Sequence, residues 1–409
     1  MFDQLPVRRL FPVLLLNLVA FGVAIPILPA LAFELGGTAA DVGLLFALQS
    51  IGQFAIAPIW GDLSDRIGRK RILVTTIAAG GIFEIVSAAA GSLWLLYLAR
   101  LLTGMCAGNV ATASALIADS TETDQRSRGM AIVGISFGIG FTIGPALGAG
   151  VALLPEAFPA IFWEGAGLLG TGLPFAVAGM IALGTALLGH FILVEPDRRA
   201  QEGGRGRLSD RLSALVDHPN SRRVLLMCTL FFAYTAASSM LEVSFFPYAR
   251  AIYGFAESEV GLIFAGMGLL LAIVQGGVGR ISDRIGNRRM TLTGVLLLVV
   301  GLALAPVYPP LWFLLAFVAV ATVGRALVHP GILSMTSSLA SDDSETGKIM
   351  GILQSSSSLG RIIGHAAGGL LFEYLSPAAP FWGAAAAMAA AGSWWWLRSA
   401  QRRTATEHR

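Results

Sequence analysis

The chain has 409 residues, of which 55% are hydrophobic and only 13% charged, and its mean hydropathy is +0.72. Soluble domains carry nearer a quarter charged residues, so this chain has too few charges to cover a water-facing surface, which excludes a multidomain soluble enzyme. The formal charge of +3 is no nucleic-acid signal, because the basic residues collect at the ends of apolar runs.

Those runs fall in chain order at about 10–33, 41–62, 71–91, 94–118, 129–152 and 172–194. A second group follows at about 223–248, 258–280, 289–308, 311–336, 349–373 and 379–397. A bilayer-crossing helix needs roughly 20 apolar residues, so about twelve spans are predicted. Open strands cannot cross lipid and no alternating barrel pattern is present. The expected fold class is therefore an all-α integral membrane bundle, with a six-helix bundle over 1–194, a cytoplasmic linker over 195–222 and a second six-helix bundle over 223–409. In the linker, Leu208, Leu212, Leu215 and Val216 recur at helical spacing among charged residues, which predicts a short amphipathic helix on the inner surface. The loop 153–171 carries Phe158, Phe162 and Trp163, an aromatic set suited to the membrane interface. Cys106 and Cys228 sit inside apolar runs and read as packing residues.

With both termini cytoplasmic, every Lys and Arg except Arg100, Arg250, Arg325 and Arg361 falls on the inner side or in the linker. That one-sidedness fixes the orientation. The Ala-, Gly- and Arg-rich composition has the look of a GC-rich bacterial coding bias, which places the protein in a bacterial inner membrane.

The two halves resemble each other at a shift of about 218 residues. Asp41-Val42-Gly43-Leu44-Leu45-Phe46-Ala47 answers Glu259-Val260-Gly261-Leu262-Ile263-Phe264-Ala265, and Gly61-x-x-Ser64-Asp65-Arg66-Ile67-Gly68 answers Gly279-x-x-Ser282-Asp283-Arg284-Ile285-Gly286. With six spans per half, both copies enter the membrane the same way round, a plan used by secondary transporters.

Gly61-Asp62-Leu63-Ser64-Asp65-Arg66-Ile67-Gly68-Arg69-Lys70-Arg71, after the second span, resembles the signature loop of the major facilitator superfamily. Leu98 to Gly104 resembles its fourth-helix motif. Gly134, Gly138, Gly140, Gly144, Pro145 and Gly148 resemble the fifth-helix motif of its drug:proton antiporters, and Gly22, Pro26 and Pro29 their first-helix motif. The tetracycline exporters are the most similar group. The resemblance implies a major-facilitator fold, twelve helices in two halves related by pseudo-two-fold symmetry. It also implies that Gly61, Asp65, Arg66, Gly68 and Arg69 hold one conformation closed on the inside, with Asp119 as the partner of Arg69. The alternative is that these basic residues only set topology. In the second copy (Gly279, Asp283, Arg284, Gly286), Asn287 stands where the first has Arg69, which predicts a weaker lock. By the same resemblance the Gly140–Gly144–Pro145–Gly148 bend seals exporters against ion leak; ordinary small-residue packing is the alternative. His365 occupies the position equivalent to Pro145.

Ionisable residues inside spans are the sharpest site candidates, because each costs roughly 2.5–3.5 kcal/mol at a helix centre. Glu84 and Arg100 lie equally far on either side of Ser92, so a short hairpin would bring them to one depth as an ion pair, either static or proton-responsive. Asn17 replaces an acid that the tetracycline exporters carry in span one. Glu242 in span seven is the other acid available for coupling, or an interfacial residue that reaches water. Arg325 and His329 sit one turn apart in span ten, and Arg361 and His365 one turn apart in span eleven. Asp343 is equidistant from the two arginines, so they are expected to share a depth and to need an acid or an anionic substrate between them. His190, by contrast, reads as a packing residue. Gln49, Gln53, Asn109, Gln275 and Gln354 are candidates for lining a cavity or joining helices, with Gln53 ranked first by resemblance. Phe231, Phe232, Met240, Phe245 and Phe246 make either an adaptable apolar wall or a lipid-facing surface.

The function expected is proton-coupled efflux of small amphipathic compounds, with no cofactor, since no Gly-x4-Gly-Lys-Ser/Thr nucleotide loop occurs. The cations of spans ten and eleven motivate a second reading, an organic-anion or carboxylate carrier. A non-transporting membrane receptor or scaffold is the reading from a different class. No catalytic triad, His-x3-His pair or metal cluster marks an enzyme. The expected partners are a small-molecule substrate, protons and the lipid bilayer, with no nucleic acid, and the chain is expected to work as a monomer.

Overall fold

The computed structural model describes residues 5–107, 112–113, 116–117, 126–158, 161, 167–168, 170–195, 220–339 and 343–407. Its helices are α1 (Leu5–Ala24), α2 (Leu28–Glu34), α3 (Ala39–Ile67), α4 (Arg69–Ala88), α5 (Leu93–Cys106), α6 (Arg126–Ala152), α7 (Leu154–Ala157) and α8 (Leu173–Ile192). They continue with α9 (Ser221–Tyr253), α10 (Glu257–Ile285), α11 (Asn287–Leu304), α12 (Leu311–Ser337), α13 (Asp343–Tyr374) and α14 (Ala379–Glu407). Setting aside the short α2 and α7, twelve remain among the described residues, six before the linker and six after it. Eight spans in this set are long and apolar enough to cross a membrane. The tract Ser355–Ser358 with Arg361 and His365 lowers the hydropathy of α13, and the Ala-, Gly- and Trp-rich sequence does the same for α14.

The repeat seen in the sequence is written into the backbone. Thr38 and Asp41 form a capping box at the start of α3, with Asp41 Oδ2 accepting from the Thr38 amide at 2.7 Å. Glu259 Oε2 accepts from the Ala256 amide at 2.8 Å at the start of α10, which satisfies the same orphan donor. Gly36 and Gly254 turn with φ of +80° and +71°, and Gly68 and Gly286 with φ of +114° and +80°. Both pairs are 218 residues apart (254 − 36 and 286 − 68), and all four positions need the left-handed region that only glycine enters freely. The α3–α4 and α10–α11 junctions are therefore the same tight corner built twice.

The chain divides into two compact units, Met1–Glu202 with Ala249–Leu269, and Gly203–Tyr248 with Leu270–Arg409. In the first, α1 packs on α6 and α8, α4 on α5 and α8, and α3 on α5. Leu10, Val13, Leu14, Leu73, Ile77, Ala182 and Ala186 from α1, α4 and α8 make its apolar core. In the second, α11 packs on α12 and α14, and α13 on α12 and α14. Third-with-fourth and third-with-sixth pairing thus recurs in both. Large apolar side chains such as Ile59, Leu98, Leu187, Phe191, Leu262 and Ile273 remain exposed, a surface suited to lipid. Most aromatic residues of α9 are buried instead, Phe232 and Tyr253 only partly. Phe231, Phe245 and Phe246 are almost completely enclosed, which corrects the lipid-facing alternative for them.

Glycine seams set the helix spacings. A Cβ on Gly144 would stand 2.7 Å from Gly22 Cα and 2.8 Å from the Val19 carbonyl, and one on Gly148 2.6 Å from the Val23 carbonyl. Gly140 is pressed on Leu18 in the same way, and the Pro145 ring lies against Gly22. The α6 motif is thus a close-contact face against α1, with Pro145 removing a backbone donor inside the helix. Gly360, Gly364 and Gly368 do the same on α13, against Phe232, Ala236 and Met240 of α9. Gly279, in the second copy of the signature loop, makes no such contact, since a Cβ there would meet nothing within 4 Å. The predicted linker helix and the interfacial Phe162 and Trp163 lie outside the described residues; Phe158 is exposed.

Overpacking a backbone contact costs about 1–3 kcal/mol, so Gly144→Ala should lower the melting temperature in detergent. Gly150→Ala, in open space on the same helix, should leave it unchanged. Equal melting of both variants would refute the seam.

Candidate functional site

Two polar groups lie inside the helices, one in each unit. In the first, α4 ends at Ala88 and α5 starts at Leu93, with Ser92 accepting from the Leu95 amide as N-cap. This hairpin brings Arg100 and Glu84 face to face, Nη2 to Oε2 at 2.6 Å, with side-chain exposures of 1% and 8%. The same guanidinium nitrogen donates to Ser87 Oγ at 2.8 Å, and the guanidinium carbon lies 5.2 Å from the centre of the Phe175 ring. A pair this enclosed persists because each partner removes the other's desolvation penalty. A cavity of about 10 Å³ touches both partners and is lined by Phe21, Leu28, Phe46 and Gln49 as well. It has room for about one water.

Gln53 and Asn17 lie half-buried on α3 and α1. Gln53 donates to the Ala107 carbonyl at 3.1 Å, beside a Trp60 Nε1 bond to the Met105 carbonyl at 2.6 Å. Both bonds brace α3 against α5, so Gln53 serves as a helix tie. Asn109 and Asp119 lie outside the described residues.

At the α3–α4 corner, Arg69 turns back onto its own loop. Its Nη2 is 2.5 Å from Asp65 Oδ1 and its Nη1 donates to Ser64 Oγ at 2.6 Å. Gly61 is buried and supplies the carbonyl that Ser64 Oγ bonds at 2.8 Å, while Arg66 is exposed. Sequence reasoning missed Glu195. Its two carboxylate oxygens accept the Arg69 and Lys70 amides at 2.5 and 3.0 Å, capping α4 where Gly68 offers no side chain. A lone acid after an apolar run carries no signal for a partner so far back in the chain. In the second copy, Asp283 and Arg284 are exposed. There Asn287 accepts from Ser282 Oγ at 2.5 Å and donates to Ser334 Oγ at 2.6 Å, linking α11 to α12. A neutral tie thus replaces the ion pair at Asn287.

The second group gathers Glu242 from α9, Arg325 and His329 from α12, and Arg361 and His365 from α13. The α13 glycines make this possible, because Arg361 and His365 directly follow Gly360 and Gly364 at the seam with α9. His365 Nε2 stands 3.9 Å from Glu242 Oε2, with side-chain exposures of 6% and 25%. Arg325 and Arg361 both lie within electrostatic reach of the same carboxylate. The Tyr234 hydroxyl donates to the Arg325 carbonyl at 3.4 Å. The Phe231 and Tyr234 rings stack with an interplanar angle of 2°, and His329 sits 5.5 and 6.0 Å from them. Arg325 Nε is buried without a hydrogen-bond partner among the described residues. Glu242 therefore lies beside His365 and in the field of both arginines, and it does not simply reach out to water. His190 is exposed beside Phe191, apart from both groups.

Removing one member of a buried ion pair costs about 3–5 kcal/mol, whereas replacing both by apolar groups is often neutral. Arg100→Met alone should therefore destabilise strongly in detergent melting, and Arg100→Met with Glu84→Leu should recover most of the loss. A double variant no better than the single would show that the ion pair is not what the site depends on. A further expectation concerns α4: Glu195→Ala should cost about 1 kcal/mol as a lost cap, and Glu195→Asp less.

Comparison with known proteins agrees with this architecture. The chain is 26% identical to the tetracycline resistance protein, class C, of Escherichia coli over 85% of each chain. It is 26% identical to multidrug resistance protein 2 of Bacillus subtilis, covering 90% of this chain and 89% of that one. It is 29% identical to mouse major facilitator superfamily domain-containing protein 10, covering 87% and 84%. Among solved structures, the human organic anion transporter MFSD10 (TETRAN) superposes with a TM-score of 0.73 at 23% identity, over 95% and 98% of the two chains. The nucleoside transporter NupG superposes with a TM-score of 0.72 at 12% identity, over 96% and 98%. The family description Major Facilitator Superfamily matches residues 10–245 and 226–409. The paired corners, the glycine seams and the embedded charges thus belong to a multi-pass membrane transporter and not to an enzyme: the chain is a member of the Major Facilitator Superfamily.

Proposed function

We propose that the protein is a proton-coupled secondary transporter that exports small amphipathic organic compounds. The observation that carries the reading is the Glu84–Arg100 pair, buried in α4 and α5 yet open to a water-sized cavity. A proton arriving through one water neutralises Glu84 and releases Arg100, which changes what the helix pair can hold together. Binding energy differing between the two protonation states is what lets one gradient drive another. Similarity to the tetracycline and multidrug resistance proteins supports export and drug-like substrates. The chain works as a monomer in a bacterial inner membrane with both termini cytoplasmic, alternately opening to each side, and draws on the proton gradient with no bound cofactor. The Arg69–Asp65 corner capped by Glu195 acts as the inner lock. The α1–α6 seam at Gly144 and Pro145 keeps the path closed to ions.

In proteoliposomes carrying a pH gradient, added substrate should trigger proton movement in the wild type. Glu84→Gln should reduce that movement at least about tenfold while the protein remains folded, since a lost proton acceptor removes the coupled step. Full substrate-triggered proton flux in Glu84→Gln would overturn Glu84 as the coupling group.

A further inference from the structure

A second cavity, apart from the one beside Glu84, opens where α1 begins and α8 ends. Its volume is about 460 Å³, against the ~30 Å³ that one water molecule takes up in the liquid, so it has room for a group much larger than water. Arg8, Arg9 and Pro12 of α1 and Phe191 and Ile192 of α8 line it among the described residues. The span that contains α1 starts at Arg8, and the span formed by α8 ends at Ile192. The cavity therefore sits at the boundary where hydrocarbon gives way to lipid headgroups.

Helical spacing builds the α1 side of it. Arg8 and Arg9 stand four and three residues before Pro12 (12 − 8 and 12 − 9), so the three share one face of the helix. Leu10, Val13 and Leu14 are turned into the apolar core, which also takes Leu193 from just beyond α8. Pro12 lies inside α1 and has no N–H for the carbonyl of Arg8, which loosens the turn that carries both arginines.

The lining combines two kinds of chemistry. Arg8 is exposed and Arg9 half-buried, and no acid lines the cavity among the described residues. Glu195, the next acid along the chain from α8, is held by the Arg69 and Lys70 amides at 2.5 and 3.0 Å. A guanidinium is a planar fork of donors that fits two oxygens of a phosphate. Below the charges the wall is apolar, and Phe191 is 75% exposed, open to the hydrocarbon. A free anion would leave that wall bare, and a neutral lipid would leave the arginines without counter-charge.

We propose that this cavity binds one anionic phospholipid, with Arg8 and Arg9 on the phosphate and the first part of an acyl chain along Pro12, Phe191 and Ile192. The bound lipid joins α1 to α8 and so steadies the helix that carries the Gly144 seam. The site goes beyond the transport reading above: it requires a membrane-spanning chain, but neither proton coupling nor a particular substrate.

The test uses the full chain in detergent micelles, with bound lipids counted by native mass spectrometry and stability read as the melting temperature. Dioleoylphosphatidylglycerol should be retained as one molecule per chain and raise the melting temperature. Dioleoylphosphatidylcholine, whose headgroup carries no net charge, should bind at least about tenfold more weakly. Inorganic phosphate and glycerol 3-phosphate, at the same concentration, should give no shift. Arg8→Gln with Arg9→Gln should melt like the wild type without lipid but lose the preference for the anionic lipid. Arg222→Gln with Arg223→Gln, another exposed adjacent pair, at the start of α9, should keep that preference. Equal retention of the two lipids by the wild type would overturn the proposal. So would equal loss of preference in the two double variants, which would reveal a diffuse basic surface, or a shift with phosphate as large as with lipid, which would reveal a site for free anions. None of these readouts involves transport, so they stand apart from the outcome of the Glu84 flux experiment.

Discussion

Helices that cross lipid gain nothing from the hydrophobic effect by meeting one another, because hydrocarbon is as apolar as leucine. What holds α1 to α6 and α9 to α13 is backbone touching backbone at Gly144 and Gly22, and at Gly364 and Ala236. Everything functional depends on that closeness. Arg361 and His365 reach the side of α9 that carries Glu242 because the residue before each is a glycine seated in the seam. A side chain at either glycine would push α13 away and carry Arg361 and His365 from Glu242.

The two units handle the same problem differently. In the first, charge is cancelled locally: Glu84 and Arg100 lie across a single hairpin, and Ser87 and Phe175 complete the guanidinium's surroundings. In the second, charge is gathered from three helices, with Glu242 in the field of Arg325 and Arg361. The repeated corners diverge as well. Arg69 closes the first with an ion pair, whereas Asn287 closes the second with hydrogen bonds to Ser282 and Ser334. Duplicated architecture has thus been retained while the chemistry has been divided, with a tightly paired acid in one unit and a mixed cluster of acid, arginines and histidines in the other.

Much of the fold was legible because hydropathy, glycine and charge placement act locally. A bilayer demands apolar runs of fixed length and satisfied backbones, so twelve helices could be counted before any packing was known. The repeat shift recovered from a few residues around Asp41 and Glu259 recurs in the turns at Gly36 and Gly254 and at Gly68 and Gly286. The Glu84–Arg100 contact was also within reach, since a hairpin centred on Ser92 fixes depth by counting residues along two adjacent helices.

Other contacts lay beyond sequence, because they join residues far apart whose identities carry no mutual signal. Glu195 caps α4 from the end of α8, Gln53 ties α3 to α5, and Tyr97 donates to Asp41 across the same pair. Counting residues from Asp343 leads to the expectation that Arg325 and Arg361 share a depth but cannot name a neighbouring acid; the α9–α13 packing brings Glu242 within electrostatic reach of both. Local composition and periodicity are enough to set the number of helices, the repeat and which residues carry charge into the membrane. Which of those charges meet is settled only by packing, because it depends on how closely and at what rotation the helices approach.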